Sequence, residues 1–410
     1  MLILKFSKII ILIGLLLLVI ALSGCDYYPE EQPHNNAVDI ENIQTQTISG
    51  GWHVSMFIDN DNTLWAWGDN THGQLGNGTT IDSYRLVHVM DNVISVSSRG
   101  QHTMAIRTDG SLWAWGNNEY GQIGDGTTIN RFTPVHIMDD VVYVYAGTMH
   151  TMAIKSDGSL WVWGANSFGQ IGNGTTVDQH NPVHIMDDVV AVSGIGVVTM
   201  AVRADGSLWA WGISDFSRFH DLSFNGYHYP IHIMDNVITV SVGGHHATVI
   251  KTDGSLWAWG VNSSGQLGDG TLENRYDPIR IMDSVASVLS DLLATLAVQT
   301  DGSLWAWGSN FDGRLGDGTE EQQLSPVHIM DDVVAVSHGI GSTLALQSDG
   351  SLWGWGWFGY PLLKSGITEY PSLDLPWPAD ALPDDYFFFY NRVLTPTRIL
   401  DGVILPTQSR

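Results

Sequence analysis

Short apolar runs alternate with turn signals along most of the chain, and residues 93–139 show the pattern well. Residues 93–96 and 102–106 are strand-like, and an Asp-Gly pair separates the second run from residues 112–115. Asp-Gly between two apolar runs predicts a β-hairpin, because a type I′ turn needs positive φ at both central residues. A glycine-rich loop follows. Residues 134–139 form a fourth run, whose first residue, a proline, suits a strand start or an edge strand. The unit contains four strands and no helical pattern.

This unit recurs with a fixed period that is marked by the motif Trp-x-Trp-Gly. The motif begins every 48 residues, at Trp65, Trp113, Trp161, Trp209, Trp257, Trp305 and Trp353. Period-two alternation puts both tryptophans of a copy on one sheet face, where they fill the wedge between neighbouring sheets. Seven four-stranded units with a 48-residue repeat predict an all-β chain folded as a seven-bladed β-propeller.

The propeller is expected to be one domain over residues 42–405. Both ends of this range carry strand-like pieces, residues 43–48 and 402–405. We expect the ring to close between them, because an open propeller would expose sheet edges.

The first 24 residues read as an export signal. Lys5 and Lys8 precede an apolar run over residues 9–22, which is short for a membrane-spanning helix. The sequence Leu-Ser-Gly-Cys that ends at Cys25 resembles the lipobox of bacterial lipoproteins. The resemblance implies that Cys25 is lipidated and becomes the mature N-terminus. An uncleaved signal anchor is the alternative interpretation.

Residues 25–41 are polar, contain two prolines and show no apolar periodicity. They predict a flexible tether that holds the folded domain off a membrane. Residues 406–410 are expected to form a short tail. The expected location is therefore the cell membrane, lipid-anchored and facing the extracytoplasmic side.

Composition narrows the classes of function. The 410 residues are 44% hydrophobic and 15% charged, so the chain is not of the disordered type. The formal net charge of −26 argues against a nucleic-acid partner and favours basic protein partners. Cys25 is the only cysteine, which excludes an intrachain disulfide framework and a cysteine-based zinc site.

The full unit has a recognisable consensus. In the second copy it reads Gly100-Gln101-His102-Thr103-Met104-Ala105-Ile106 and runs on to Gly121-Gln122-Ile123-Gly124-Asp125-Gly126. This unit resembles the repeat of the regulator of chromosome condensation family, and the likeness extends over seven copies. The resemblance implies a seven-bladed propeller, which agrees with the count of repeats.

What the resemblance implies about function is less direct. The founding member of the family looks like a nuclear exchange factor for a small GTPase that also docks on chromatin. The export signal, the acidic charge and the lack of a basic tail depart from that pattern. Bacterial members include a secreted propeller that inhibits β-lactamases by binding across one face. That member is the nearer analogue in compartment, and no binding residues are carried over from it.

Two histidine series recur with the repeat, and both are interpreted as structural. His102, His150 and His246 hold one position, which we expect to hydrogen-bond nearby backbone rather than a metal. The second series precedes an aspartate by three residues, and two copies carry arginine instead, which a metal site would not tolerate. Its members are His88, His136, His184, His232, His328, Arg280 and Arg398.

No catalytic or cofactor motif stands out. The run of residues 59–62 is the nearest candidate for calcium, but it lies on a predicted hairpin turn. The chain has no nucleophile elbow, phosphate-binding loop or metalloprotease helix motif. It is predicted to be non-catalytic, without cofactor and without bound metal.

The informative places are the two copies in which the repeat fails. The fourth copy loses its Gly-Gln-Leu-Gly loop. The seventh is longer: Trp353 to Asp401 is 48 residues, against 26 from Trp305 to Asp331. The insert covers about residues 357–392. Aromatic residues outside the repeat frame are typical of binding hot spots. The candidate partner-binding residues are Phe216, Phe219, Phe224, Tyr227, Tyr229, Trp357, Phe358, Tyr360, Trp377, Tyr386, Phe387, Phe388, Phe389 and Tyr390. The alternative is that the insert plugs the channel or covers the seam.

The preferred hypothesis is a lipid-anchored, extracytoplasmic propeller that acts as a protein–protein interaction module. The expected partner is an extracytoplasmic protein, with no nucleic acid and with contact to the membrane through the lipid anchor only. A monomer is expected. A carbohydrate-binding or glycan-processing envelope protein is the alternative, because exposed aromatics also suit sugar stacking. A purely structural spacer is the third hypothesis.

Overall fold

The alternating strand pattern produces seven antiparallel sheets of four strands, each built from consecutive strands. The structure, a computed structural model, describes residues 46–212, 227–339, 341–358 and 392–405. The prediction of an all-β, seven-bladed propeller with four-stranded blades is confirmed. In each blade we call the strands a, b, c and d, from the central axis outwards.

The strand bounds follow the repeat closely. Blades 1 to 4 contain β1 (Ile48–Gly50), β2 (Val54–Ile58), β3 (Leu64–Gly68), β4 (Ser83–Met90), β5 (Val93–Arg99), β6 (His102–Arg107), β7 (Leu112–Gly116), β8 (Arg131–Met138), β9 (Val141–Ala146), β10 (His150–Lys155), β11 (Leu160–Gly164), β12 (Gln179–Met186), β13 (Val189–Ile195), β14 (Val198–Arg203), β15 (Leu208–Gly212) and β16 (Tyr227–Met234). Blades 5 to 7 contain β17 (Val237–Val242), β18 (His246–Lys251), β19 (Leu256–Gly260), β20 (Arg275–Met282), β21 (Val285–Ser290), β22 (Ala294–Gln299), β23 (Leu304–Gly308), β24 (Gln323–Met330), β25 (Val333–His338), β26 (Ser342–Gln347), β27 (Leu352–Gly356) and β28 (Val393–Leu400), and a short 3-10 turn lies at Phe311–Gly313.

Antiparallel pairing within the blades gives the ring two distinct faces. The a–b and c–d connections leave the strands at one end, which we call the loop face. The b–c hairpins and the turns into the next blade lie at the other end, the hairpin face. In blade 1, for example, Gly68 pairs with Ser83 at the loop face, and Leu64 pairs with Met90 at the hairpin face.

The core consists of apolar clusters between neighbouring blades. The second tryptophan of each motif is buried in it: Trp67, Trp115, Trp163, Trp211, Trp259, Trp307 and Trp355. The first tryptophan is only half-buried. The expectation that both tryptophans fill the wedge is confirmed, with the second one fully inside it and the first packed at its edge.

In each c–d loop that the structure describes, those of blades 1, 2, 3, 5 and 6, one backbone carbonyl receives two hydrogen bonds from the next blade. The Gln74 carbonyl of blade 1 accepts from Trp115 Nε1 at 2.8 Å and from Thr103 Oγ1 at 3.0 Å, both in blade 2. The same pair of bonds recurs at the carbonyls of Gln122, Gln170, Gln266 and Arg314. Consecutive blades are thus joined by an identical polar contact at five junctions.

The first histidine series extends this contact. His102 Nε2 lies 3.0 Å from Thr151 Oγ1, His150 Nε2 lies 3.1 Å from Thr199 Oγ1, and His246 Nε2 lies 2.9 Å from Thr295 Oγ1. The structural interpretation of this series is correct, but the partner is a threonine hydroxyl of the next blade rather than backbone. Because the threonine donates its own proton to the loop carbonyl, each histidine donates from Nε2. Burial lowers the pKa of all three histidines, so they are neutral near pH 7.

Blade 4 lacks both partners of this bond together. Val198 stands at the histidine position, and Ala247 of blade 5 stands at the matching threonine position. Both are buried. Losing the threonine alone would leave the buried Nε2–H of the histidine without an acceptor, whereas losing both removes that cost.

Serine hydroxyls near the axis make a second set of inter-blade bonds. One repeat position of strand a holds a serine whose Oγ accepts a backbone N–H from strand a of the next blade. Ser97 Oγ accepts from Ala146 at 3.0 Å, and the bond recurs at Ser49, Ser193, Ser241 and Ser337. Tyr145 and Leu289 occupy this position in blades 3 and 6.

The two ends of the domain close the ring by sharing one strand. Residues 47–50 supply most of strand a of blade 1: the Thr47 carbonyl accepts from Ile58 N, and β1 pairs with β2. Val403 supplies the beginning of the same strand, because it forms a β-bridge with Asp59, as Val93 pairs with Arg107 in blade 2. The ring therefore closes between the two ends of the domain, as predicted. Residues from both ends form one composite strand, strand a of blade 1.

We predict that Val403 holds this seam. Val403 is 1% exposed and packs between blades 7 and 1, whereas Leu405 is 40% exposed. The change Val403→Asp buries an unpaired charge and should cost about 3 kcal/mol or more of unfolding free energy, measured by urea titration. Leu405→Asp is the matched control and should stay within about 0.5 kcal/mol of the native value. Equal losses would contradict the composite strand.

We also predict a specific acid sensitivity. Burial lowers the pKa of His102 to about 3, with His150 adding to the effect, and it lowers the pKa of His150 and His246 to about 4. These pKa values lie below that of an unfolded histidine. The stabilisation is therefore complete above pH 6.5 and is lost as the pH falls towards 4.

At pH 5 each buried histidine should have lost about 2 kcal/mol of unfolding free energy relative to pH 7. The variant His150→Gln should show a smaller loss between these two pH values, by about that amount. Urea unfolding at both pH values, with native and variant chains side by side, measures the difference. The same loss in both chains would show that His150 does not carry this pH dependence.

Candidate functional site

The long c–d loops of the loop face are held in one conformation by a buried asparagine. Asn70 Oδ1 accepts the backbone N–H of Leu75 at 2.9 Å, and Asn70 Nδ2 donates to the carbonyls of Thr79 and Ile81 at 3.0 and 3.1 Å. Asn118 and Asn166 repeat these three bonds, and Asn262 and Asn310 repeat two of them. The loops are therefore rigid platforms for whatever side chains they present.

One platform position differs between the blades. In blades 1 to 3 it holds Ile81, Ile129 and Val177, which are 74%, 63% and 67% exposed. In blades 5 and 6 the same position holds the exposed residues Glu273 and Glu321. The local backbone is the same in all five, because the N–H at this position lies within 3.2 to 3.4 Å of the threonine Oγ1 two residues earlier. The scaffold thus accepts glutamate at this position, and three neighbouring blades present an apolar side chain instead.

Further apolar side chains extend this surface. Phe132 of strand d in blade 2 lies against Gly73 of the blade 1 loop, and Tyr229 of blade 4 lies against Gly174 of the blade 3 loop. We call Ile81, Ile129, Phe132, Phe168, Val177 and Tyr229 the apolar crescent. Among the large hydrophobic residues that are exposed in the described part of the chain, all but Ile238 and Leu405 lie on the loop face.

The aromatic candidates from blade 4 fall partly within this surface. Tyr229 is 65% exposed and belongs to the crescent, while Tyr227 begins β16 and is half-buried. Phe216, Phe219 and Phe224 lie outside the described residues.

The described candidates from blade 7 have structural contacts. Trp357 is half-buried, and its ring meets the ring of His53 edge to face at 5.1 Å. Phe358 is 5% exposed and packs in the cluster between blades 7 and 1. It lies against Gly354, where the other blades have alanine or valine. Phe358 is therefore a core residue, and its assignment to an exposed binding surface is corrected. Cys25 and the remaining candidates lie outside the described residues. These candidates are Tyr360, Trp377, Tyr386, Phe387, Phe388, Phe389 and Tyr390.

Local sequence pattern does not single out Ile81, Ile129 and Val177 as binding residues. A single apolar residue after a Gly-Thr-Thr turn looks like a strand start, and its exposure depends on the loop geometry. The signal that was present is the comparison of copies, because the same repeat position holds glutamate in copies 5 and 6.

The second histidine series forms ion pairs and ring contacts on the outer strand. His88 Nε2 lies 2.8 Å from Asp91 Oδ1, and the ring of His88 meets Trp65 edge to face at 5.6 Å. Four more blades repeat the pair at 2.8 Å, and Arg280 and Arg398 make the equivalent contacts with Asp283 and Asp401. The prediction of a structural His–Asp pair is confirmed.

The aspartates of the hairpin turns are also structural. Asp59 Oδ1 accepts the backbone N–H groups of Asp61 and Thr63, and Asp59 Oδ2 accepts Trp65 Nε1 at 2.7 Å. In other blades a serine hydroxyl and its backbone N–H bind the carboxylate, which lowers the pKa of Asp109 and its equivalents.

Among residues 46–212, 227–339, 341–358 and 392–405, no group of three or more His, Cys, Asp or Glu could hold a metal ion. None of the elements described in those segments is a helix able to cross a membrane.

A buried ion pair lies at the loop-face end of the axis. Arg99 of blade 2 donates from Nη2 to Asp291 Oδ1 of blade 6 at 2.6 Å and from Nη1 to Tyr145 Oη at 2.6 Å. Burial opposes the charge on Asp291, but Arg99 outweighs it and keeps the pKa of that carboxyl below its usual value. Blades 2 and 6 are not neighbours, so this pair crosses the centre of the ring.

The families and structures that this chain resembles have the same propeller fold. The family model of the RCC1-like domain matches residues 23–291, and the model of the RCC1 repeat matches residues 301–346. An RCC1 domain-containing protein of Dictyostelium discoideum is 44% identical over 45 residues, which is 11% of this chain and 9% of that protein. The ultraviolet-B receptor UVR8 of Arabidopsis thaliana is 36% identical over 70 residues, 16% of each protein. The chain thus matches only a small part of the length of these relatives.

Solved structures show the same architecture. Prp20p of Saccharomyces cerevisiae, whose binding to Gsp1p and histones has been described, is 18% identical with a TM-score of 0.69, over 88% of both chains. Human WBSCR16 is 24% identical with a TM-score of 0.66, over 74% of this chain and 88% of that one. At these identities the likeness concerns the fold alone.

Propellers of this kind are typically non-catalytic modules for binding or nucleotide exchange. The matched residues cover more than half of the chain. The chain belongs to the family of RCC1-like domains.

Proposed function

We propose that this chain is a protein-interaction module that binds its partner through the loop face, with the apolar crescent at the centre of the contact. One observation carries the proposal. Three neighbouring blades expose Ile81, Ile129 and Val177 at a position where the same loop accepts Glu273 and Glu321. Stability does not require the apolar residue there, so a contact outside the chain is the physical reason for it.

The rigidity of the loops favours binding. Ile81, Ile129 and Val177 stand on loops that a buried asparagine already holds, so little conformational entropy is lost when a partner orders them. Burying one large aliphatic side chain contributes about 1.5 to 3 kcal/mol. Three such side chains, with the aromatic rings of Phe132 and Tyr229 beside them, suffice for a small hot-spot cluster.

The charge of the chain favours a basic partner. The net charge is −26, and Glu273 and Glu321 continue the crescent position into blades 5 and 6. A partner with an apolar centre and a basic rim would fit both features. Association should therefore be fastest at low ionic strength, because the attraction between exposed charges is screened by salt.

The proposed setting is extracytoplasmic, with the propeller held at a membrane by lipid on Cys25. The support is the sequence alone: an apolar run, the Leu-Ser-Gly-Cys site with the single cysteine, and a polar tether before the first strand. The partner would then be another protein of the cell envelope or one that arrives from outside.

The crescent variant Ile81→Glu/Ile129→Glu/Val177→Glu tests the binding surface. Each change installs the residue that blades 5 and 6 already carry, so the melting temperature should stay close to native. Affinity capture from envelope extract identifies the partner, and titration of the purified pair measures the affinity. We expect the variant to weaken binding by about 100-fold or more, from the lost burial of three side chains.

Ile238→Glu is the matched control, because Ile238 is an exposed aliphatic residue on the hairpin face. It should leave the affinity unchanged. Native-like binding by the triple variant would exclude the crescent as the contact. Loss of binding in the control alone would place the contact on the hairpin face.

The anchor has a separate test. In the expressing bacterium, Cys25→Ala should abolish labelling by a fatty-acid probe and move the chain from the detergent phase to the aqueous phase in a detergent phase separation. The reason is that no acyl chain can then be attached at that site. Retention of the variant in the detergent phase would support the signal-anchor alternative.

A further inference from the structure

Six of the seven outer strands carry a proline at one repeat position, and the outer strand of blade 1 does not. In β4 this position holds Leu86. Each outer strand is the last strand of its sheet, so the position lies on the free edge of the blade. The prolines are Pro134, Pro182, Pro230, Pro278, Pro326 and Pro396.

The prolines show which way the backbone faces at this position. A proline has no N–H, so an outer strand carries one only where the N–H would point away from the sheet. All seven outer strands pair with strand c in the same register and with the same two shifts. The N–H of Leu86 therefore also points outwards. Val87 pairs inwards with Ala66, and because backbone groups alternate along a strand, those of His88 point outwards again.

Leu86 and His88 thus present their N–H and C=O groups on the outer side of residues 86–88, which we call the open edge. In the part of the chain that the structure describes, β4 pairs with β3 and with no other strand. The side chain of Leu86 packs on the cluster between blades 7 and 1, and this contact leaves its backbone available. Before this stretch, the backbone of Arg85 is bonded to the Ser83 hydroxyl, which limits the open edge.

An open edge is a template for a further strand, and proline is one of the devices by which proteins block such pairing. The register shifts also discourage pairing, but all seven outer strands have them. Leu86 in place of proline is therefore the feature that distinguishes the edge of blade 1.

We propose that the open edge of β4 docks a second copy of this chain, with the two β4 strands antiparallel across a two-fold axis. Leu86 of one copy lies opposite His88 of the other, and each of these two pairs exchanges both of its backbone hydrogen bonds. Val87 lies on the axis. The pairing goes beyond the proposed protein-binding function and does not depend on it, and it departs from the monomer that the sequence led us to expect.

The number of open edges favours a second copy as the occupant. Each chain has one outer strand without the proline, so pairing of two copies uses both open edges and closes the assembly. A second open edge on the ring would let the pairing continue into a chain of propellers. The two-fold register also places no like charges opposite each other, since Arg85 lies opposite Val89 and Ser83 lies opposite Asp91.

The net charge gives this contact a salt dependence of its own. Each chain carries a formal charge of −26, so two copies repel each other. Salt screens this repulsion, and the two-fold pair should therefore strengthen as salt rises. A basic partner on the apolar crescent should show the opposite dependence.

Cross-linking of the full chain in membranes of the expressing bacterium tests the pairing. In His88→Cys, a short bismaleimide should join two copies into a product of twice the monomer mass on a denaturing gel. His136→Cys is the matched control, because it is the same repeat position in blade 2, on a strand that carries Pro134; the native side chains are 51% and 44% exposed. It should give at least about tenfold less product. The native chain, whose one cysteine is Cys25, is the blank.

Two exchanges at the proline position show what opens the edge. Leu86→Pro, added to His88→Cys, installs the residue of the other six blades and removes one donor from each copy. The product should fall by about tenfold or more, and the melting temperature shows whether the variant is folded. Pro134→Leu, added to His136→Cys, should raise the product by a similar factor. A chain that fails to fold cannot produce that gain.

Sedimentation of the purified full chain in a nonionic detergent measures the salt dependence. The average mass should rise towards the two-fold pair as salt increases, and Leu86→Pro should remain at the lower mass. A mass that falls with salt would mean that the copies associate through attraction between opposite charges elsewhere, which would overturn the proposal.

Three cross-linking results would also overturn it. Equal product from His88→Cys and His136→Cys would indicate random collisions. Unchanged product in folded Leu86→Pro, or no gain from Pro134→Leu, would show that the proline position does not control pairing. Cross-linking of His88→Cys to a different protein would assign the open edge to another partner. None of these variants changes a crescent residue, so this proposal and the proposed function fail separately.

Discussion

The propeller depends on one backbone carbonyl in each of the five described c–d loops, that of the glutamine or arginine. This carbonyl accepts an indole N–H and a threonine O–H from the next blade, as at Gln74 with Trp115 and Thr103. The loop is thereby held against its neighbour, and the largest side chain of the unit is buried with its polar atom satisfied. A blade has no such partner in isolation, which is why stability in repeat folds arises at the interfaces between units.

The rest of the architecture follows from this constraint. A loop that must present its carbonyl inwards needs its own conformation held, and the buried asparagine provides that. Once the loop is rigid, the residues at its outer edge are presented to solvent in a defined geometry. The propeller thus separates two tasks: recurring contacts hold the ring, and a few outward positions remain free to vary between glutamate and apolar residues.

Two exceptions to the repeat lie at special places of the closed ring, the axis and the seam. Arg99 and Asp291 stand at a glycine position and pair across the axis, although they are 192 residues apart. Phe358 fills the cluster between blades 7 and 1, where Gly354 makes room for it. The ion pair lies on the axis of the ring, and Phe358 lies at the seam. Only the contacts that these residues make show which exception belongs to which place.

The amino-acid sequence by itself determined the number of blades, the four strands of each, the place of the seam and the structural His–Asp pairs. These features are periodic or local in sequence, so spacing and turn chemistry suffice to read them. Tertiary structure alone decided that the first tryptophan is half-buried, that His102 bonds to Thr151 and that Phe358 is in the core. It also decided that Ile81, Ile129 and Val177 face solvent together. The physical reason is that each of these outcomes depends on a neighbouring blade or on how a loop folds back, and neither is encoded in local periodicity.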